Sequence, residues 1–477
     1  AWRKLEDERE HYLHSWTWRR KNRTLCVGAV LVSCATLAML SRGTTQPPPG
    51  LRVVERRSGD WRRRVSDYCD ATTRGDEHVR DARSLLAVTV VTRHGARSAI
   101  HEPTTVERAR FECDISFDLQ ERLGPDFPRP RTDEKKRCLE GQLLERGFRQ
   151  HLRLGEELRR AYDLDDRWTL EEVRSTDYQR TRGSALALLA GAFPGLAEQR
   201  DLARRVHVWG DDDQTHFHGE PMYGAGSHAG KGLRCEPAQR DVQRQKDSFV
   251  ARLRLDPAYS VFDGNQTSLN KTITEVADAL YSRLCETASP SLCLSGGFKK
   301  KRKCLTDDEA SALLAEADRY YCARYVGDDG GSHANTISTY PFVHELLAGL
   351  ATATDAATPA FRLYSGHDTV VAPLAAALGF FDCRWPALAS HVVFELYQSH
   401  ANGGDRLLRV LYNGRPVAVP LCADDNMPRA ALPREEAGLC RFDDFAAAFD
   451  ERVSAAYAGL AGCDDITSLF PKTTAAR

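Results

Sequence analysis

The chain has 477 residues, 42% of them apolar and 28% charged, enough to bury a sizeable core, and its length allows two or three domains. Net charge is −1 but unevenly placed: residues 1–66 hold 14 basic and 6 acidic side chains, leaving the remainder acidic on balance, which argues against a nucleic-acid-binding domain. Any phosphate site must therefore gather its arginines locally. Fourteen cysteines suit an oxidising compartment, and twelve of them fall between Cys69 and Cys463, an even number that favours disulfides. Reduced buried thiols are one alternative. A zinc site of Cys285, Cys293 and Cys304 is another, although that trio lacks tight C-x-x-C spacing.

The sequence begins with Ala1, so a fragment or a chain without its initiator is expected. Residues 24–41 carry no charge and follow the cluster Arg19, Arg20, Lys21 and Arg23. As a helix this run would be about 27 Å long, short for a plasma membrane but adequate for thinner early secretory bilayers. The basic cluster predicts a cytoplasmic tail over 1–23, a transmembrane signal-anchor helix over 24–41 and a lumenal remainder. A cleaved signal peptide, cut near Thr36-x-Ala38, is the competing reading; the hydrophilic lead is long for one. Three consecutive prolines within 44–50 and six arginines within 52–64 read as a solvated stem over 42–66, followed by one lumenal domain over 67–477.

Residues 85–91 are apolar and β-branched, the pattern of a buried strand, and Gly95 marks the chain leaving it. Ligands of open α/β sheets sit beyond the carboxyl ends of strands, which is where Arg93, His94 and Arg97 fall. Two guanidinium forks suit a phosphate dianion, and a neutral imidazole between them can attack phosphorus. Residues 102–136 are polar and proline-dotted. Residues 139–162 have helical spacing in Leu143, Leu144, Phe148, Leu152 and Leu158, and His151 on that helix reads as a packed side chain. A strand over 170–176 leads to a helix over 178–193, ended by Pro194 and Gly195, with Arg180 in its first turn, where a helix amino end already favours anions.

Residues 206–259 are mostly polar. His216-x-His218 beside Asp211 to Asp213 lacks a helix to fix a metal geometry, so no metal site is expected. Asn265-Gln-Thr and Asn270-Lys-Thr are glycosylation sequons, and 285–304, enclosing a basic run at 299–303, reads as a stapled surface loop. Helices over 307–325 and 338–354 precede a strand over 361–364, a turn at Gly366 and a helix over 369–378. His367 and Asp368 thus stand at a second strand end. His391 opens a strand that pairs antiparallel with 407–412, and an Ala-rich helix over 443–460 closes the domain.

Arg93-His94-Gly95-Ala96-Arg97, the segment Arg174-Ser-Thr-Asp-Tyr-Gln-Arg180-Thr and the His367-Asp368 turn together resemble the histidine acid phosphatases, branch 2 of the histidine phosphatase superfamily. Ala99 stands where the family signature has proline, and Ala96 where these enzymes often have Asp. The resemblance implies a three-layer α/β core with a mixed sheet and an inserted helical cap, preceded here by the single transmembrane helix. It implies phosphomonoester hydrolysis without metal or cofactor: His94 as nucleophile, Asp368 as acid, and Arg93, Arg97, Arg180 and His367 as phosphate ligands. It extends to a Golgi type II membrane enzyme of the family that removes the 2-phosphate of xylose in the proteoglycan linkage region, so the expected substrate is a phosphorylated glycan, with the proteoglycan core a further contact. A broad-specificity or phytase-like acid phosphatase is the alternative enzyme, and an inactive glycan-binding family member is the alternative of another class.

Overall fold

The computed structural model describes residues 61–71, 85–100, 110–198, 202–209, 269–286, 293–294, 303–304, 306–326, 333–399, 405–422 and 439–459. The expected tail and anchor, most of the stem, His216, His218 and Asn265 lie outside the described residues. Among the described residues no helix is long and apolar enough to cross a membrane.

In chain order the principal elements are α1 Trp61–Cys69, β1 Leu85–Arg93, α2 Phe117–Leu123, α3 Glu145–Tyr162, β2 Thr169–Thr176, α4 Gln179–Ala192 and β3 His207–Trp209. Then come α5 Leu269–Glu286, the strand pair β4 Cys293–Leu294 and β5 Lys303–Cys304, α6 Asp307–Tyr325 and α7 His333–Ala351. The remainder is β6 Ala360–Gly366, α8 Asp368–Leu378, β7 His391–Gln398, β8 Arg406–Tyr412, β9 Arg415–Pro416, β10 Cys440–Arg441 and α9 Phe442–Gly459.

The main sheet runs β10-β8-β7-β1-β6-β2-β3, with β9 paired to β8. From β1 to β3 the pairs β1·β6, β6·β2 and β2·β3 are parallel, whereas β1·β7 and β7·β8 are antiparallel, so β1 lies where the sheet changes sense. Every residue of β1 is buried, which is why its sequence is apolar without alternation. One face packs Val88, Val90, Phe361 and Leu363 against Phe148 and Leu152 of α3 and Leu186 and Leu189 of α4; the other packs Val91, Tyr364, Phe394 and Val410 against α7, α8 and α9. Two helical layers therefore sandwich one mixed sheet, as expected. The α3–α4 crossing is close because it is built on glycine: a Cβ on Gly155 would lie 2.0 Å from the Leu188 carbonyl, and one on Gly191 2.1 Å from that of Leu152.

A third apolar cluster belongs to the insertion. Leu280 and Tyr281 of α5, Leu313 and Tyr321 of α6, and Val65 and Tyr68 of α1 gather against Ala96, Ala372 and Trp385. Helix α1 begins at Trp61, inside the stretch read as stem, because its inner face carries Val65, Tyr68 and Cys69, and Arg64 reaches Asp318 and the Leu314 carbonyl of α6, while Arg62 and Arg63 face outward. Helix α5 was not foreseen either. The expectation of disulfides holds in Cys69–Cys285, Cys113–Cys138, Cys322–Cys383 and Cys422–Cys440. Cys285 is tied to α1, 216 positions away, so it does not staple 285–304; within that stretch Cys293 pairs with Cys304 as backbone neighbours of β4 and β5. The zinc alternative built on Cys285 falls with it.

Candidate active site

Strand register brings the two halves of the site together. Arg93 is paired with Gly366 at the ends of parallel β1 and β6, so the next residues, His94 and His367, emerge side by side, with ring centroids 5.7 Å apart and planes near perpendicular. Thr176, last residue of β2 beside β6, lies 2.9 Å from His367 through its Oγ1. Three parallel strand ends thus supply the first histidine, the second histidine and the segment leading to Arg180.

His94 is buried, and its Nδ1 sits 2.9 Å from the Gly95 carbonyl. A carbonyl only accepts, so in the neutral ring Nδ1 carries the proton and Nε2 keeps its lone pair. Burial, together with the guanidiniums of Arg180, Arg97 and Arg93, pushes the imidazole well below its ordinary value. At neutral and mildly acidic pH the ring is uncharged.

The arginines differ in what already holds them. Arg93 is fully buried; its guanidinium donates to the Tyr68 hydroxyl at 2.9 Å and to the Pro386 carbonyl, and its Nη2 lies 3.1 Å from Asp368 Oδ2. Arg97 is clamped by Asp278 through both terminal nitrogens, at 2.6 and 3.3 Å. Arg180 makes no ion pair among the described residues; its guanidinium lies over the Tyr178 ring at 4.2 Å and beside Gly141, where a Cβ would come within 3.1 Å of Nη1. Burial and the charge of Arg97 push Arg180 down to about 10. The buried Nε–H groups of Arg93, Arg97 and Arg180 meet no acceptor among the described residues, an arrangement suited to an incoming anion. Arg174 is directed elsewhere, to Glu345 of α7 at 2.5 Å.

Asp368 opens α8 and receives the Trp385 indole N–H on Oδ2 at 2.6 Å and the Thr369 amide on Oδ1 at 2.8 Å. Burial works to raise its pKa, but Arg93, the Trp385 bond and Arg97 outweigh it and hold the carboxyl at about 2. Trp385 is stacked on Tyr321 at 4.9 Å and Tyr68 on Tyr281 at 3.7 Å, so the partners of Asp368 and Arg93 are fixed by an aromatic cluster shared with α5 and α6.

The signature loop is held from behind. Ser184 Oγ accepts the Gly95 amide and Gln150 Oε1 the Ala96 amide, while Leu144 N–H donates to the Ala96 carbonyl. Contact with α3 is so close that a Cβ on Gly95 would fall 2.5 Å from the Gly147 carbonyl. Only glycine lets the loop and helix meet backbone to backbone. His151, read as packed, is buried and bonds the Arg93 carbonyl through Nε2 at 3.1 Å; burial pushes it down to about 3.

The structure therefore gathers Arg93, His94, Arg97, Arg180, His367 and Asp368 at one place. Asn270 lies in the first turn of α5. The sequence did not reveal Asp278, Tyr68 or Trp385: each is separated from its partner by 17 to 181 positions and stands in no local motif. Gln150, next to His151 on an amphipathic helix, was within reach of the helical pattern.

Residues 84–413 match the histidine phosphatase superfamily (branch 2), and the chain belongs to that family. It is a phosphomonoesterase. Among its curated relatives, human 2-phosphoxylose phosphatase 1 is 24% identical over 401 residues, 75% of this chain and 77% of that protein. Human lysophosphatidic acid phosphatase type 6 is 26% identical over 399 residues, 76% of this chain and 83% of the other. Among solved structures, the phytase of Klebsiella sp. ASR1 covers 78% of this chain and 97% of its own at 16% identity, with a TM-score of 0.48.

Proposed function

We propose that the chain hydrolyses phosphomonoesters through a phosphohistidine on His94, and that its substrate is a phosphorylated glycan, the 2-phosphate of xylose in the proteoglycan linkage region. The observation that carries the chemistry is the neutral His94 ring, its Nδ1–H spent on the Gly95 carbonyl and its Nε2 left as a base under three guanidiniums. In the first step an N–P bond forms at Nε2 as the ester P–O bond breaks, and Asp368 delivers a proton to the leaving oxygen. Arg93, Arg97 and Arg180 hold the equatorial oxygens, where transition-state charge is greatest, and His367 adds a hydrogen bond. Water then attacks phosphorus, its proton returns to Asp368, and the N–P bond breaks.

The substrate assignment draws on similarity to the 2-phosphoxylose phosphatases of human, Xenopus tropicalis and mouse. The disulfides among the described residues fit a lumenal site of action, and the uncharged run 24–41 after a basic cluster fits a type II Golgi membrane anchor, with glycosylation at Asn265 or Asn270. Comparable similarity to lysophosphatidic acid and lysosomal acid phosphatases favours a broad-specificity enzyme as the second reading. Comparing kcat/KM at one pH for a linkage-region glycan carrying 2-phosphoxylose, phytate, lysophosphatidic acid and nitrophenyl phosphate decides between them. The glycan is expected to lead small phosphomonoesters by at least about tenfold, since contacts remote from the phosphate add transition-state binding. A lead for phytate or the lipid overturns the assignment.

A further inference from the structure

A site that binds phosphate with three arginines has no obvious reason to neutralise one of them. Yet Asp278, from α5 of the insertion, grips both terminal nitrogens of Arg97 and accepts the Ile100 amide at 2.9 Å with the same carboxylate. Both partners of the pair are buried, with Arg97 3% and Asp278 5% exposed. A buried carboxylate costs several kcal/mol in desolvation. Arg93, by contrast, is held by the Pro386 carbonyl and the Tyr68 hydroxyl and shares Asp368 with Trp385, so a dedicated bidentate carboxylate is not needed to place a guanidinium here.

We propose that Asp278 sets the pH preference of the reaction by limiting the site to a single excess positive charge, so that it takes up a phosphomonoester as its monoanion, or as the dianion together with one proton. The proposal deepens the phosphohistidine reading and rests on it. The groups facing the anion position are Tyr68 from α1, Arg93, His94 and Arg97 from β1 and its loop, and Tyr178 and Arg180 at the head of α4. Asp278 and Tyr281 come from α5, Tyr321 from α6, His367 and Asp368 from the β6–α8 turn, and Trp385 from the segment before β7. Behind Tyr281 and Trp385, Arg64 of α1 pairs with Asp318 of α6, whose carboxyl burial raises to about 6; this pair is the same in every Asp278 variant, so comparing variants cancels it. Burial keeps the phenols of Tyr68, Tyr281 and Tyr321 protonated. Leaving the imidazoles aside, three guanidiniums face two carboxylates, Asp278 and Asp368.

The second ionisation of a phosphomonoester lies near about 6. A monoanion makes the site neutral and brings the proton that the ionised Asp368 lacks for leaving-group protonation. A dianion leaves one uncompensated negative charge in a buried place, so its uptake must draw a proton from solution, which grows harder as pH rises. Without Asp278 the dianion would be matched. The carboxylate therefore converts a phosphate site of general use into one tuned to acid.

The test uses the full chain and inorganic phosphate as probe, titrated calorimetrically at pH 5 and pH 8 into wild type, Asp278→Asn and Asp278→Glu, alongside the pH profile of kcat/KM for nitrophenyl phosphate. In Asp278→Asn, phosphate affinity at pH 8 relative to pH 5 is expected to rise at least about tenfold over wild type, the scale of one unit charge at close range, and the alkaline limb of the profile to move up. Asp278→Glu keeps the charge and should keep the wild-type ratio. Loss by the same factor at both pH values would mean that Asp278 only positions Arg97, and a shift in Asp278→Glu equal to that in Asp278→Asn would mean that geometry, not charge, is at issue; either overturns the proposal. If Asp278→Asn does not fold, the double variant Arg97→Gln/Asp278→Asn, which removes one charge of each sign, must retain the wild-type ratio, and a shifted ratio refutes the idea. Failure of the enzymatic reading shows separately, as phosphate binding without turnover in the wild type.

Discussion

Replacing Asp368 by Asn removes the proposed proton donor and disturbs its three partners together, and the two effects can be separated. The carboxyl is held at about 2, so protonating it at pH 5 costs about 4 kcal/mol. One phosphate charge about 5 Å away, at an effective dielectric of about 20, returns about 3 kcal/mol of that. The bound ester thus nearly charges its own acid. Asn cannot donate in this way, and positioned general acids contribute about 10²–10⁴ in rate. Asp368→Asn should therefore lower kcat/KM for a sugar phosphate by about 10²–10⁴, and for nitrophenyl phosphate, whose leaving group needs little help, by less than about tenfold.

The structural effect has its own signature. Trp385 and Arg93 both meet Oδ2 while the Thr369 amide meets Oδ1, so whichever way an Asn is turned, a donor faces its amino group. An unanswered buried donor costs about 1–3 kcal/mol. The folded carboxyl also lies below its ordinary value of 3.8, so the stability it contributes is complete above about pH 4 and is lost as pH falls toward 2. That contribution is roughly 2 kcal/mol, and it should vanish from the acid-unfolding curve of Asp368→Asn. Turnover is to be normalised to folded protein by near-UV circular dichroism. Equal losses on both substrates would refute the acid role, and an unchanged acid-unfolding curve would refute the electrostatic account.

Other outcomes follow from the same geometry. His94→Ala should abolish turnover, and wild type quenched during turnover of a labelled substrate should yield an acid-labile, base-stable adduct; an acid-stable adduct would point to a different nucleophile. Gly147→Ala should unfold the signature loop or lower melting sharply, because the added Cβ would lie 2.3 Å from the Ala96 carbonyl and 2.8 Å from its nitrogen; overpacking of this kind costs about 1–3 kcal/mol or more. A site that holds its anion with guanidiniums should keep its activity in EDTA, and loss restored by added zinc would contradict the proposed mechanism.

Much of the catalytic layer could be read from the chain alone because each strand end announces itself. An apolar run stops and a histidine follows at the strand's end: Val91 leads to Arg93, His94 and Arg97, and Leu363 leads through Gly366 to His367 and Asp368, where a helix begins. Helix α6, expected over 307–325, does start there, at a capping box formed by Thr306 and Glu309. Asp278 was not legible, since an acidic residue on a helix ordinarily faces water and only the tertiary approach of Arg97 makes it part of the site. Trp385 stands in no local motif, and only the fold brings its indole nitrogen within 2.6 Å of Asp368. Helix α1 was hidden because three consecutive arginines, Arg62 to Arg64, mask the three spaced apolar residues of its inner face.

The bond between Cys69 and Cys285 also sets a timetable. One partner precedes β1 and the other lies at the end of the helix that carries Asp278, with a sequence separation of 216. At synthesis rates of about 5–20 residues per second, Cys69 emerges roughly 10–40 s before its partner exists. Through that interval its thiol must survive without committing to Cys113 or Cys138, which emerge far earlier and belong to each other. Closing the clasp is therefore a late event, and a chain that stops short of Asp278 leaves Arg97 without its counter-ion and the signature loop without its cover. Maturation therefore waits on the thiol–disulfide exchange that joins these two cysteines, and full-length chains in which it fails would be made but mute.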